Sequence, residues 1–185
     1  MALVATTLAT STSRARRLAH TALPAGFVSS AATSARVLLV EGATDRVVLA
    51  ALLIEYPDVA VLEVGGKHLL PLGAAVARAV GARVHVLLDG DGDGWRRQAN
   101  SARARSTHRR STSAVLSQLG ATPSTVLPDD LETELAQWPS FVQALTHGGG
   151  RLRRKDPLAY ADAVARAGCA DLPPGLAALR DRAVT

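Results

Sequence analysis

Residues 83–94, RVHVLLDGDGDG, decide how this chain is read. Val84, Val86, Leu87 and Leu88 make an apolar run of strand length, and the run ends in Asp89, Asp91 and Asp93, separated by glycines that let the backbone turn sharply. Carboxylates this close repel one another, and nothing in folding requires them. A hard divalent cation such as Mg²⁺ removes the repulsion, so the stretch points to a metal-binding strand end. Three other readings compete. A polar turn without function uses the same residue types. A calcium loop of the EF-hand kind needs a glutamate at its twelfth position, which here is Asn100, and follows a helix rather than a strand. A phosphotransferase with a nucleophilic aspartate normally puts this strand first, whereas an earlier strand here carries its own acid.

That earlier strand is 36–40, RVLLV, and Glu41, Gly42 and Asp45 follow it. The spacing of Val47, Val48, Ala51 and Leu52 predicts a helix over 44–56 with Thr44 as its cap. Glu41 then stands at a strand end and Asp45 in a first helical turn, both at the carboxyl edge of a parallel sheet, where open α/β sheets place their sites. Residues 59–64 predict a second strand. Gly65, Gly66 and Lys67 turn from it into an Ala- and Leu-rich helix ending near Gly81, and the turn lacks the pattern of a phosphate loop. A tight strand-to-helix turn with an exposed Lys67 is one reading of this stretch, beside a functional one. Only Lys67 and Lys155 among the 21 basic residues are lysines, which hints at places where a planar guanidinium will not serve.

After the aspartates, residues 95–128 contain no acid but carry Arg96, Arg97, Arg103, Arg105, His108, Arg109 and Arg110. Such a tract can hold a phosphate backbone beside the metals, or it can be a solvated helix or loop. A short fourth strand over 124–127 delivers DDLETEL, in which Leu131 and Leu135 face the core and leave the acids outward. Helices are expected over 139–145, over 157–167 and from Pro174, with Arg151, Arg153, Arg154 and Lys155 in the loop before the second of these.

The 185 residues support one domain with a flexible arm. Residues 1–34 contain no acid and are rich in Ala, Ser and Thr, so a linker or arm is expected there, with a single domain over 35–185. Hydrophobic residues make up 48% but aromatics 3%, which predicts a core of Ala, Val and Leu. The net charge of +5 favours polyanionic partners such as nucleic acid. Cys169, the one cysteine, excludes a disulfide framework and is expected as a small buried hydrophobe. No apolar run approaches the roughly 18 residues of a membrane span, so a soluble, cytoplasmic protein is expected.

VEGATD at 40–45 and LLDGDGDG at 87–94, with the strand and helix order between them, resemble the TOPRIM (topoisomerase-primase) domain. The resemblance implies a Rossmann-like α/β fold, a central and mostly parallel sheet of about four strands flanked by helices, with a helical C-terminal extension. It also implies divalent metal on Glu41, Asp89 and Asp91. The finer resemblance, over roughly 36–168, is to the TOPRIM domain of the OLD (overcoming lysogenisation defect) family nucleases. It rests on the second acid at Asp45, the glycine turn before Lys67, the acids of 130–132 and the downstream Lys155. Proteins of that family pair the domain with an ATPase, and no Walker motif is present here, so either the ATPase is a separate chain, or this is a stand-alone relic or a domain working in another setting.

What the resemblance implies is a DNA nuclease using Mg²⁺ or Mn²⁺, with two ions about 3.5–4 Å apart. Glu41, Asp45, Asp89, Asp91 and Glu132 would be the ligands, and Glu132 could instead position the water. Lys155 would neutralise charge on the scissile phosphate. Arg96, Arg97, Arg103, Arg105, Arg109, Arg110, Arg153 and Arg154 would bind the nucleic acid, and Asp93 and Asp129 would be bystanders. The alternatives are a non-catalytic module that binds nucleic acid or a partner, and primase or RNA-processing chemistry. Strand passage needs a nucleophilic tyrosine from another domain, and Tyr56 and Tyr160 fall on expected helices of this one.

Overall fold

A computed structural model describes residues 13, 14, 17, 21–90, 101–152 and 156–185, without the side chains of 101–106 and 108. In chain order the elements are α1 (Phe27–Thr33), β1 (Arg36–Val40), α2 (Ala43–Leu52), β2 (Val59–Glu63), α3 (Leu70–Ala79), β3 (Arg83–Asp89), α4 (Ser101–Leu119), β4 (Ser124–Leu127), α5 (Leu131–Ala136), α6 (Pro139–His147), α7 (Pro157–Ala167) and α8 (Pro174–Val184). The strands form one sheet in the order β2-β1-β3-β4, and every pairing is parallel. The α/β class, the four parallel strands and the helical C-terminal part are as expected.

Alternation along the strands builds the two layers. Val37, Leu39, Val84, Val86 and Leu88 face one way and pack with Phe27, Leu70 and Val115 from α1, α3 and α4. Leu38, Val40 and Leu87 face the other way and pack with Val48, Trp138, Phe141, Tyr160 and Leu176 from α2 and the C-terminal part. Both faces are covered, which is why the strands read as continuous apolar runs. Trp138, Phe141 and Tyr160 concentrate the scarce aromatic content in the second layer. The Phe141 ring stacks on Trp138 at 6.0 Å and meets Tyr160 edge-on at 5.6 Å.

Four local expectations change. Part of the stretch expected as an arm is packed, since Leu23, Phe27 and Ala31 are buried against the sheet. The helix after β1 is capped by Gly42, not Thr44, because the Asp45 carboxylate reaches back to accept from the Gly42 N–H at 3.1 Å. Glu134 is buried rather than outward, close enough to Gly175 that a Cβ there would lie 2.5 Å from its Oε2. Cys169 is exposed. Among the described residues no helix is long and apolar enough to cross a membrane.

Candidate active site

Parallel strands point their carboxyl ends to one edge, and the order β2-β1-β3-β4 makes β1 and β3 neighbours there. Glu41 directly follows β1 and Asp89 ends β3. The two are joined across the strand ends, since the Asp89 N–H donates to Glu41 Oε1 at 3.2 Å. Asp45 lies in the first turn of α2, held by its bond to Gly42. From the end of β4 the chain enters Asp129, Asp130 and α5. Asp130 caps that helix by accepting from the Thr133 N–H at 2.8 Å and from the Thr133 hydroxyl at 2.6 Å, and Asp129 Oδ2 accepts from the same hydroxyl at 3.2 Å. These caps hold Glu132 in the first turn of α5, on the side of the sheet edge where Asp89 stands.

The electrostatics report the convergence. Burial, and after it the carboxylates of Asp45, Glu41, Glu132 and Asp130, push the Asp89 carboxyl from its ordinary value of 3.8 up to about 8. Four acids from two other segments therefore bear on one buried carboxyl. Gly90 makes the geometry possible, because a Cβ there would meet the Leu127 carbonyl oxygen at 2.2 Å. The exit of β3 passes flush against the end of β4, and only glycine fits the passage.

Lys67 is a component that sequence reasoning left open. It is not an exposed turn residue, for its side chain is 10% exposed. Gly65 and Gly66 take positive φ of 84° and 134°, and their N–H groups donate to the Glu41 carbonyl at 3.1 and 2.8 Å. This turn folds the end of β2 over the end of β1 and drives Lys67 inward. Its Nζ donates to the Asp89 carbonyl at 2.7 Å and to Thr112 Oγ1 at 3.4 Å, and lies 3.6 Å from Glu41 Oε1. One ammonium thus ties β1, β3 and α4 together beside the acids. The scarcity of lysine was the signal that could have found it; Asp130 had no comparable signal beyond its place in an acidic run.

Arg109 and Arg110 are exposed on α4, one turn or less before Thr112. The backbone of Arg103 and Arg105 belongs to the same helix, and their side chains lie outside the description. Asp91, Asp93, Arg96, Arg97, Arg153, Arg154 and Lys155 lie outside the described residues.

The donor set fits a hard divalent ion. It consists of carboxylate oxygens, and both the burial and, after it, the repulsion from neighbouring carboxylates that raise the Asp89 carboxyl are what a cation offsets. Among the described residues no three His, Cys, Asp or Glu side chains are gathered to hold an ion as they stand. Glu41, Asp45, Asp89 and Glu132 are the described side chains that could hold one.

Comparison with known proteins gives two findings. Residues 33–91 match the family model described as the TOPRIM domain of overcoming lysogenization defect protein-like proteins. That span takes in β1 to β3 and includes Glu41, Asp45, Lys67, Asp89 and Asp91. A solved structure of the C-terminal region of the OLD protein of Xanthomonas campestris pv. campestris is similar at 18% identity and a TM-score of 0.47, covering 81% of this chain and 96% of that one. No curated protein matches the chain by sequence.

Proposed function

We propose that this chain is a divalent-metal-dependent nuclease module that cleaves DNA phosphodiester bonds at the carboxyl edge of its sheet. The observation that carries the reading is the meeting of Glu41 and Asp89 across the strand ends, the Asp89 N–H donating to Glu41 Oε1 at 3.2 Å, with the Asp89 carboxyl raised to about 8 by burial first and then by the carboxylates of Asp45, Glu41, Glu132 and Asp130. A cluster so costly in isolation is characteristic of sites that work with a cation. The match of residues 33–91 to a TOPRIM family model supports it.

Mg²⁺ or Mn²⁺, as one ion or two, would supply Lewis acidity and an activated water when bound. Glu41, Asp45, Asp89, Asp91 and Glu132 would hold it. The chain's own residues set the stage for this. Lys67 fixes the Asp89 carbonyl and neighbours Glu41, so the ends of β1 and β3 keep one spacing. Glu132, in the first turn of a helix capped by Asp130, would orient a water or add a ligand. Lys155 would offset charge on the phosphate. Arg109 and Arg110, with Arg96, Arg97, Arg103, Arg105, Arg153 and Arg154, would draw in the DNA backbone, which the acids would otherwise repel. A separate ATPase subunit is a further partner that this reading allows.

The test is incubation of supercoiled and linear DNA with the protein in Mg²⁺, Mn²⁺ or EDTA, beside Asp89→Ala. Metal-dependent nicking abolished by the substitution is expected. If folded wild-type protein binds DNA but cuts none of it in either metal, the catalytic reading is lost in favour of a binding module.

A further inference from the structure

At the opposite edge of the sheet, where the strands begin, lies a cavity of about 450 Å³. Arg36 and Arg83 open β1 and β3 side by side in register. Both line the cavity, joined by Arg78 from the last turn of α3 and Arg182 from α8. No aspartate or glutamate is among its described lining residues.

Four guanidinium groups around one small cavity repel one another, so what each is bonded to matters. Arg36 is paired with Asp58, which lies outside the lining, and its Nε is the one buried side-chain nitrogen or oxygen among the described residues without a hydrogen-bond partner. Arg78 Nη1 donates to Thr122 Oγ1 at 3.1 Å, Arg83 Nη1 to the Thr185 backbone oxygen at 3.4 Å, and Arg182 Nη1 to Thr125 Oγ1 at 3.3 Å. None of these three forms an ion pair among the described residues. A guanidinium carries five N–H donors, so each retains donors beyond these single bonds. His85 adds no charge: burial, then the Arg182 cation, pushes its pKa down, and its Nε2 is engaged with Thr125 Oγ1 at 2.9 Å. The remaining wall is aliphatic, with Val37, Val84, Ala121 and Pro123.

Arginines without an aspartate or glutamate partner among the described residues, around an apolar-walled cavity, call for an anion with an apolar body. The volume is that of a small-ligand site. We propose that this cavity binds a nucleoside phosphate, with Arg78, Arg83 and Arg182 on the phosphate and the aliphatic wall against the nucleoside. Arginine forks match phosphate oxygens two at a time, and their planes stack on a base. The five residue steps of β1 from Arg36 to Glu41 span about 17 Å, so the ligand does not reach the acids. The site stands apart from the nuclease reading and does not depend on it.

Isothermal titration of the whole chain in EDTA with AMP, adenosine and inorganic phosphate tests it. Saturable AMP binding is expected, tighter than either fragment alone. Arg78→Gln with Arg182→Gln should weaken it by at least about tenfold, the loss expected on removing charged hydrogen bonds. Asp89→Asn should leave it unchanged, which separates this site from the acid edge. In the wild-type protein, AMP should slow amide exchange at 78–84 and 121–123 and leave 41–45 unaffected, a readout independent of how the double variant folds. Absence of saturable AMP binding at millimolar concentration, adenosine or phosphate binding as tightly as AMP, full affinity in the folded double variant, or protection at 41–45 instead would each overturn the proposal.

Discussion

Replacing Asp89 with asparagine should make the metal-free protein more stable, and by an amount that grows with pH. The unfolded chain ionises this carboxyl near its ordinary 3.8, while the folded chain holds the proton until about 8. Between those values the unfolded state binds fewer protons than the native state, so stability falls as pH rises. The penalty is absent below the lower value and complete above the upper one. Its slope is up to about 1.4 kcal/mol per pH unit, so from pH 5 to pH 8 it accumulates to about 4 kcal/mol. Asparagine has the same shape and no charge, so Asp89→Asn lacks this slope. Urea unfolding in EDTA at pH 5, 6, 7 and 8 gives the stability of both proteins, and the difference between them isolates Asp89 from every other titrating group. The variant should gain on the wild type at each step. Parallel curves, or a variant that falls further behind at pH 8, would refute a carboxyl raised at Asp89 by burial and by the acids around it.

Three other outcomes follow from the same geometry. Lys67→Ala removes the donor to the Asp89 carbonyl and the neighbour of Glu41, and should cost about 1–3 kcal/mol in urea unfolding; Lys67→Arg, whose planar head does not fit the ammonium's place, should not fully restore it. Gly90→Ala would drive a Cβ to 2.2 Å from the Leu127 carbonyl oxygen, so a lowered melting temperature equivalent to about 1–3 kcal/mol is expected together with weaker Mn²⁺ binding. Arg109→Ala with Arg110→Ala should reduce the slope of log affinity for DNA against log salt by about 1.8, without sequence preference, if both side chains meet phosphates.

The framework was legible in the sequence where local signals and tertiary demands coincide. The run 36–40 reads as a strand because both sheet faces are covered there, and Pro139, Pro157 and Pro174 mark helix starts because proline suits the first turn. Helix α1 was not legible: it is buried by packing with Leu39 of β1 and Val64 just after β2, and an Ala- and Ser-rich stretch carries little periodicity of its own. Glu134 sits within an acidic run, and only the approach of Gly175 from α8 shows that it is enclosed. The site divided in the same way. Glu41 and Asp89 announced themselves at strand ends, yet their adjacency depends on the order of strands in the sheet. Lys67 stayed open because the positive φ of Gly65 and Gly66, which decides which way it points, is not fixed by the residue types alone.

The most direct test of the central claim is Mn²⁺ binding to the metal-free protein, followed by electron paramagnetic resonance, with wild type beside Asp89→Asn and Glu41→Gln. A cluster of carboxylates built around a cation predicts saturable Mn²⁺ binding by the wild type, weakened at least about tenfold in each variant and strengthening as pH rises toward 8 and Asp89 gives up its proton. Wild-type protein that binds no Mn²⁺, or variants that bind it equally well, would contradict the assignment of the carboxyl edge as a metal centre.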